Sequence, residues 1–203
     1  MPRGGISTKQ YDGKILGPIS SAADKTMPCN GYTTGPVTTM KAGQVINVRF
    51  WVSELRGDRL KTLPPINGDE VRQGRHGGGS CEFSLSTDGG KTFHLIGKYT
   101  KTCPDVYAEW PVKIPDSAPN CDTPGQCLFV WSWIAGNVPQ FYQNCADIKL
   151  IGKEGGTLPK TGITIVNVPG KKKGVKAKGD GTNSRSKGPN KAEVEVNLKG
   201  VWN

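Results

Sequence analysis

Apolar and polar side chains alternate with a period of two through most of this sequence, and no stretch of useful length carries the helical stripe of period 3.6. In residues 44–53, Ile46, Val48, Phe50 and Val52 share one face, while Asn47 and Arg49 take the other. In residues 80–86, Cys81, Phe83 and Leu85 point one way and Glu82, Ser84 and Ser86 the other. Thr87-Asp88-Gly89-Gly90 then supplies the positive-φ residues of a tight turn, and Phe93 and Leu95 resume the buried face, so residues 80–97 read as a hairpin. Residues 128–133 are nearly all apolar, as in a central strand covered on both faces, and Ala146, Ile148 and Leu150 alternate with Asp147 and Lys149 in a further strand. With 28 Gly and 15 Pro in 203 residues to punctuate them, these short strands predict an all-β fold, an antiparallel β-sandwich.

The pattern weakens in two places. Residues 54–79 form a long connection rich in Gly, Pro and charge, a length that in compact domains marks a functional loop. After Gly152 the composition shifts, which divides the chain into a sandwich over residues 1–152 and a C-terminal extension over 153–203. The formal charge is +10, and residues 171–191 carry +7 of it, so the basicity belongs to the extension rather than to the body. Residues 170–190 read as a basic linker with too little apolar content to pack, whose partner would be a polyanion such as an acidic glycan or a nucleic acid. Beyond it, residues 191–202 alternate again, with Ala192, Val194, Val196 and Leu198 on one face. Such a strand needs a sheet edge, in its own domain or in a second copy, and the second case would give homo-assembly. Leu158-Pro159-Lys160-Thr161-Gly162 matches the sortase pattern, but the long apolar span a sortase substrate needs does not follow it, and the match reads as coincidence.

Six cysteines with no Cys-x-x-Cys pair argue against a tetrathiolate zinc site and for three disulfides formed in an oxidising compartment, so a secreted or extracellular location is expected. No run approaches the roughly 20 apolar residues of a membrane span. The first residues carry no apolar signal-peptide core, and set beside the cysteines this leads to the expectation that the sequence starts downstream of the natural N-terminus.

Few residues can carry chemistry. There are two histidines. Ser80 lacks the Gly-x-Ser-x-Gly elbow of a serine hydrolase, and His94 falls on the outward face of the hairpin, where a solvated role is expected. His76 ends the long loop in Arg75-His76-Gly77-Gly78-Gly79-Ser80-Cys81, where three glycines leave its imidazole unshielded at one end of the sandwich. Gln140 and Tyr142 stand two apart and share a face in an extended segment.

These segments carry a resemblance. His76-Gly77-Gly78-Gly79-Ser80-Cys81-Glu82-Phe83-Ser84-Leu85-Ser86 with Asp88-Gly89-Gly90-Lys91-Thr92-Phe93 is similar to the part of fungal lytic polysaccharide monooxygenases, chitin-active and related groups, that bears their second copper histidine. Leu128-Phe129-Val130-Trp131-Ser132-Trp133, Gly136-Asn137 and Gln140-Phe141-Tyr142-Gln143-Asn144-Cys145-Ala146-Asp147 resemble the same family's C-terminal half, and Pro2-Arg3-Gly4 and Met27-Pro28-Cys29-Asn30-Gly31 its N-terminal region, over roughly residues 2–152.

The resemblance implies an immunoglobulin- or fibronectin III-like sandwich with one copper ion on a flat end face. In that family the metal is held by the amine and imidazole of an N-terminal histidine and by a second histidine. A tyrosine lies near an axial position, and a nearby glutamine acts as hydrogen-bond donor. Carried over, His76 is the second imidazole ligand, Tyr142 the axial residue and Gln140 the donor. Three nitrogens in a plane suit both copper oxidation states, and open positions admit O₂ or H₂O₂. The implied reaction abstracts hydrogen at the glycosidic bond of a polysaccharide, chitin or a related glycan. The cysteines pair under the same resemblance as Cys29–Cys145, Cys81–Cys103 and Cys121–Cys127, one of fifteen connectivities. No histidine precedes His76 in the sequence. The alternative is therefore a non-catalytic carbohydrate-binding or self-assembling protein on the same scaffold.

Overall fold

The computed structural model of the chain describes residues 1–5, 8–20, 25–52, 55, 62–68, 70–189 and the backbone of 194–195. Its strands are β1 (Thr38–Lys41), β2 (Val45–Val48), β3 (Gly79–Ser86), β4 (His94–Lys101), β5 (Trp110–Lys113), β6 (Leu128–Ala135), β7 (Phe141–Ile151) and β8 (Val194–Glu195). The larger sheet runs β1-β7-β6-β3-β4-β8, antiparallel except where β1 lies parallel to β7, and β2 pairs with β5 in a second, two-stranded sheet. The expected hairpin is β3–β4, turning through Gly89 and Gly90 at φ of 75° and 86°.

The core lies between the two sheets. Phe83, Leu85, Phe129, Trp133, Ile148 and Leu150 from the large sheet meet Trp110 and Val112 of β5 and the half-buried Ile46 and Val48 of β2. Trp131 and Trp133 point into this layer because odd-numbered β6 residues face the small sheet, and the even-numbered ones take the opposite side.

That opposite side is not left to solvent. Every residue of β3 is buried, including Glu82, Ser84 and Ser86, which alternation alone had placed outward. Part of the cover comes from the segment at Cys29, which packs with Phe93 on Leu128 and Val130, and part from the C-terminal extension. Thr164 donates to the Glu82 carboxylate from its backbone nitrogen and its hydroxyl at 2.6 and 2.9 Å, and Lys98 lies 3.4 Å from it. Val166 and Val168 pack on Ile19, Ile134 and Phe141. Residues 161–168 run as an irregular cover with a single bridge between Gly162 and His94.

Residues 170–189, expected not to pack, also lie along the sandwich. Few apolar groups are available, so polar bonds fix the path: Asn167 clasps Val175 through both amide atoms at 2.7 and 2.9 Å, and the Ala177 amide donates to the Ala135 carbonyl at 3.1 Å. Of the expected strand at 191–202, Val194–Glu195 pairs with Lys98 and Tyr99 of β4 in the same chain, and the rest lies outside the described residues. Disulfides join Cys29 to Cys145, Cys81 to Cys103 and Cys121 to Cys127, the pairs the resemblance implies. Among the described residues no helix is long and apolar enough to cross a membrane.

Candidate functional site

His76 sits on a loop that only glycine can close. Gly78 has φ of 75°, and a Cβ there would stand 1.9 Å from the Lys101 carbonyl oxygen. A Cβ on Gly79 would meet the Ile134 carbonyl at 2.2 Å. The loop therefore lies directly on the ends of β4 and β6, tied by hydrogen bonds from the Gly136 amide to the Gly78 carbonyl and from the Asn137 amide to the His76 carbonyl. Gly78→Ala is expected to cost about 1–3 kcal/mol in backbone conformation alone, before the clash is counted. Chemical denaturation against the parent chain measures it, and a loss within error of zero would contradict the closeness of the loop to β4.

Beneath the loop, register does the positioning. Trp133 of β6 pairs with Tyr142 of β7 and with Cys81 of β3. The Trp133 and Tyr142 rings stack at 4.6 Å, within the range of a favourable offset pair, and Trp131 continues the stack at 6.1 Å from Trp133. His76 closes it, its ring 5.8 Å from Trp133 and 6.1 Å from Tyr142. The Tyr142 hydroxyl donates to Gln140 Oε1 at 2.7 Å and lies 3.1 Å from His76 Nε2. With its proton given to Gln140, that hydroxyl accepts from Nε2–H in the metal-free chain, and a metal shared by the imidazole and the phenol would take the place of that Nε2 proton. His76, Tyr142 and Gln140 thus converge, although 66 residues separate the first two.

Burial fixes the charge state. Desolvation holds the His76 pKa below its ordinary 6.5 and pushes Tyr142 up to about 12. Both are neutral near pH 7. Keeping His76 neutral contributes stability that is present above the ordinary histidine pKa and is lost as pH falls toward the lowered one, because the unfolded chain takes up the proton first. Tyr142 acts with the opposite sign: its contribution is present below pH 10 and is lost as pH rises toward about 12. In the metal-free chain, ring NMR of His76 should titrate with a midpoint below 6.5, and Tyr142 should ionise only as pH approaches about 12. A His76 midpoint above 6.5 would mean that the imidazole is solvated.

A third layer comes from a region to which alternation had assigned no role. The Arg75 side chain, 1% exposed, directs all five guanidinium N–H donors to acceptors: the carbonyls of Pro104, Thr102, Thr182 and Ser184 and the Asp180 carboxylate at 2.6 Å. Gly77 donates to Asn183 Oδ1 and accepts from the Gly181 amide. The extension therefore braces the histidine loop from outside. Arg75, Trp133, Asp180 and Asn183 escape a reading by motif. Arg75 adjoins the histidine, and Trp133 stands within the apolar run of β6, which are the only sequence signals they give.

His94, expected to be solvated, is half-buried, its Nδ1 2.7 Å from the Pro159 carbonyl, and belongs to the seam with the extension. Among the described residues no group of three or more His, Cys, Asp and Glu side chains forms a metal-binding cluster. The donors present are one imidazole and one phenol, near enough to share a single ion. The Met1 amine bonds to Thr38, which pairs with Ile148, six residues and about 20 Å along β7 from Tyr142. Two of the three nitrogens in the implied copper set are therefore not among the described donors at this site.

No family profile matches the chain. Among curated proteins, an AA11 family lytic polysaccharide monooxygenase A from Aspergillus fumigatus is 33% identical over 156 residues, covering 74% of this chain and 59% of the relative. An AA9 family lytic polysaccharide monooxygenase C from Thermothelomyces thermophilus is 26% identical over 195 residues, covering 84% of this chain and 75% of the relative. The chain thus spans about three fifths of the length of its Aspergillus relative. By sequence, and by a disulfide-linked β-sandwich that joins His76 to Tyr142, the chain is lytic polysaccharide monooxygenase-like.

Proposed function

We propose that this sandwich serves a secreted, copper-dependent oxidative attack on a polysaccharide, with His76 as an imidazole ligand, Tyr142 as the axial neighbour and Gln140 as the group that orients the phenol. The observation that carries this reading is the 3.1 Å approach of His76 Nε2 to Tyr142 Oη. Copper, when bound, supplies one-electron chemistry with oxygen species. The chain's own residues do the rest. The glycine loop presents the imidazole, and the Trp133–Tyr142 stack closes the inner side of the site to water. The phenol, kept neutral by burial and hydrogen-bonded to Gln140, would be a weak ligand to a metal held by His76. Completing the ligand set requires a second histidine and an amine in the natural protein. The three disulfides suit an oxidising, extracellular setting, and chitin serves as the reference glycan for the first assay.

A second reading is favoured by the position of His94. The other histidine of the sequence is bound at the seam with the extension, so it cannot join His76. On that reading the scaffold binds glycan without cleaving it. N-terminal sequencing of the natural protein, with copper titration and product analysis on chitin, separates the two. A histidine start, stoichiometric copper and oxidised oligosaccharides that vanish in His76→Ala support the enzyme. A Met1 start, with no product at saturating copper, supports the binding protein.

A further inference from the structure

The lysines of the extension lie where the braced loop meets the outer face. Residues 175–178 alternate in burial, Val175 and Ala177 turned toward the cluster of Ile134 and Phe141, Lys176 and Lys178 exposed. The next residue, Gly179, packs so tightly on the histidine loop that a Cβ would stand 1.9 Å from the Gly77 carbonyl oxygen and 3.4 Å from Gly136. Lys178 is therefore one residue from direct contact with the His76 loop, and Lys176 about 7 Å further along an extended path. Residues 171–178 contain five lysines and no acid. The nearest acid in sequence, Asp180, is committed to Arg75. The positive charge beside His76 is thus not neutralised by its own segment.

We infer that residues 176–178 form a substrate rim beside His76 that selects an anionic polysaccharide, one bearing carboxylate or sulfate groups, over a neutral one. The inference rests on the reading of His76 as the reacting end of the molecule. Two lysines on a backbone pinned at Ala177 and Gly179 keep their ammonium groups within a side chain's reach of that anchored stretch, where they attract the anionic groups of a passing chain toward the His76 loop. A nucleic acid fits less well. Single-strand binding uses exposed rings on which bases stack, and the rings of this site, Trp133 at 3% and Tyr142 at 7% exposure, are buried under the loop.

The test is binding of the full chain, without added copper, to polygalacturonate, to chitin and to duplex DNA at low and raised salt. Polygalacturonate should bind more tightly than chitin and weaken with salt. Lys176→Gln/Lys178→Gln should lower its affinity about five- to tenfold, what two exposed ion pairs contribute. The triple variant Lys171→Gln/Lys172→Gln/Lys173→Gln, altered outside the rim, should lose clearly less. Equal losses from both variants, equal affinity for chitin, or preferential binding of DNA would each overturn the rim. His76→Ala serves as the separate arm: it should leave binding within twofold while removing any oxidised product. Lysine-dependent binding in a natural protein that yields no oxidised product would retire the catalytic reading and leave the anion-selective surface standing.

Discussion

Arg75→Ala is expected to destabilise the chain by about 3–5 kcal/mol, the cost of removing one partner from a buried, fully hydrogen-bonded ionic group. The loss has two sources. The half-buried carbonyls of Thr102 and Pro104 lose this donor, and each costs up to about 1–3 kcal/mol to the extent that water does not replace it. Asp180, with a side chain 18% exposed, regains some solvent and limits the damage. Arg75→Lys should recover only part, since a single ammonium has three donors and five acceptors await it. Denaturant unfolding with an unchanged m-value measures the stability. The same variant should disturb the His76 ring resonances, because Thr182 and Ser184 would no longer hold the extension against Gly77. A loss below about 1 kcal/mol, or an undisturbed His76 spectrum, would mean that the extension does not brace the loop.

Removing the Cys29–Cys145 bridge as Cys29→Ala/Cys145→Ala should be nearly as damaging. The linked residues are 116 apart in sequence, and chain-entropy reasoning assigns such a loop about 3–5 kcal/mol. Both cysteines are 1% exposed and pack with Leu128 and Val130, so two buried sulfurs are lost as well. The N-terminal segment would then be held here by hydrogen bonds, among them those from the Cys29 amide to Gln143 Oε1 at 3.0 Å and from Asn30 Nδ2 to the Gln143 carbonyl at 2.7 Å, and by the buried Arg3–Asp147 ion pair at 2.6 Å. Domains of this size have about 5–15 kcal/mol of stability in total, so unfolding should move to markedly lower denaturant. An unfolding midpoint equal to that of the parent would show that those non-covalent contacts suffice.

The strands were legible because one physical signal repeats in them. Phe83 and Leu85, or Ile148 and Leu150, are apolar at every second position and turn toward a common core. What alternation could not give was the fate of the polar face. Glu82, Ser84 and Ser86 look solvent-facing from their spacing, yet all three are buried, and Glu82 is held under Thr164 of the extension by polar bonds that leave no mark in the apolar pattern.

The approach of His76 to Tyr142 is likewise invisible to local spacing. It arises from the β6–β7 register and from a loop closed by Gly78 and Gly79, and the motifs suggested it only through resemblance. Trp133, which joins the two rings, is a core residue by every sequence criterion and becomes part of the site only when its neighbours are known.

Nuclear magnetic resonance of the isotopically labelled chain, titrated with substoichiometric Cu(II), reads the site most directly. Paramagnetic broadening should appear first at the His76 ring and then at Gly77, Gln140 and Tyr142, leaving His94 sharp. Broadening that begins at His94, or that spreads evenly over the surface carboxylates while His76 and Tyr142 stay sharp, would contradict a metal-facing site at this end of the sandwich.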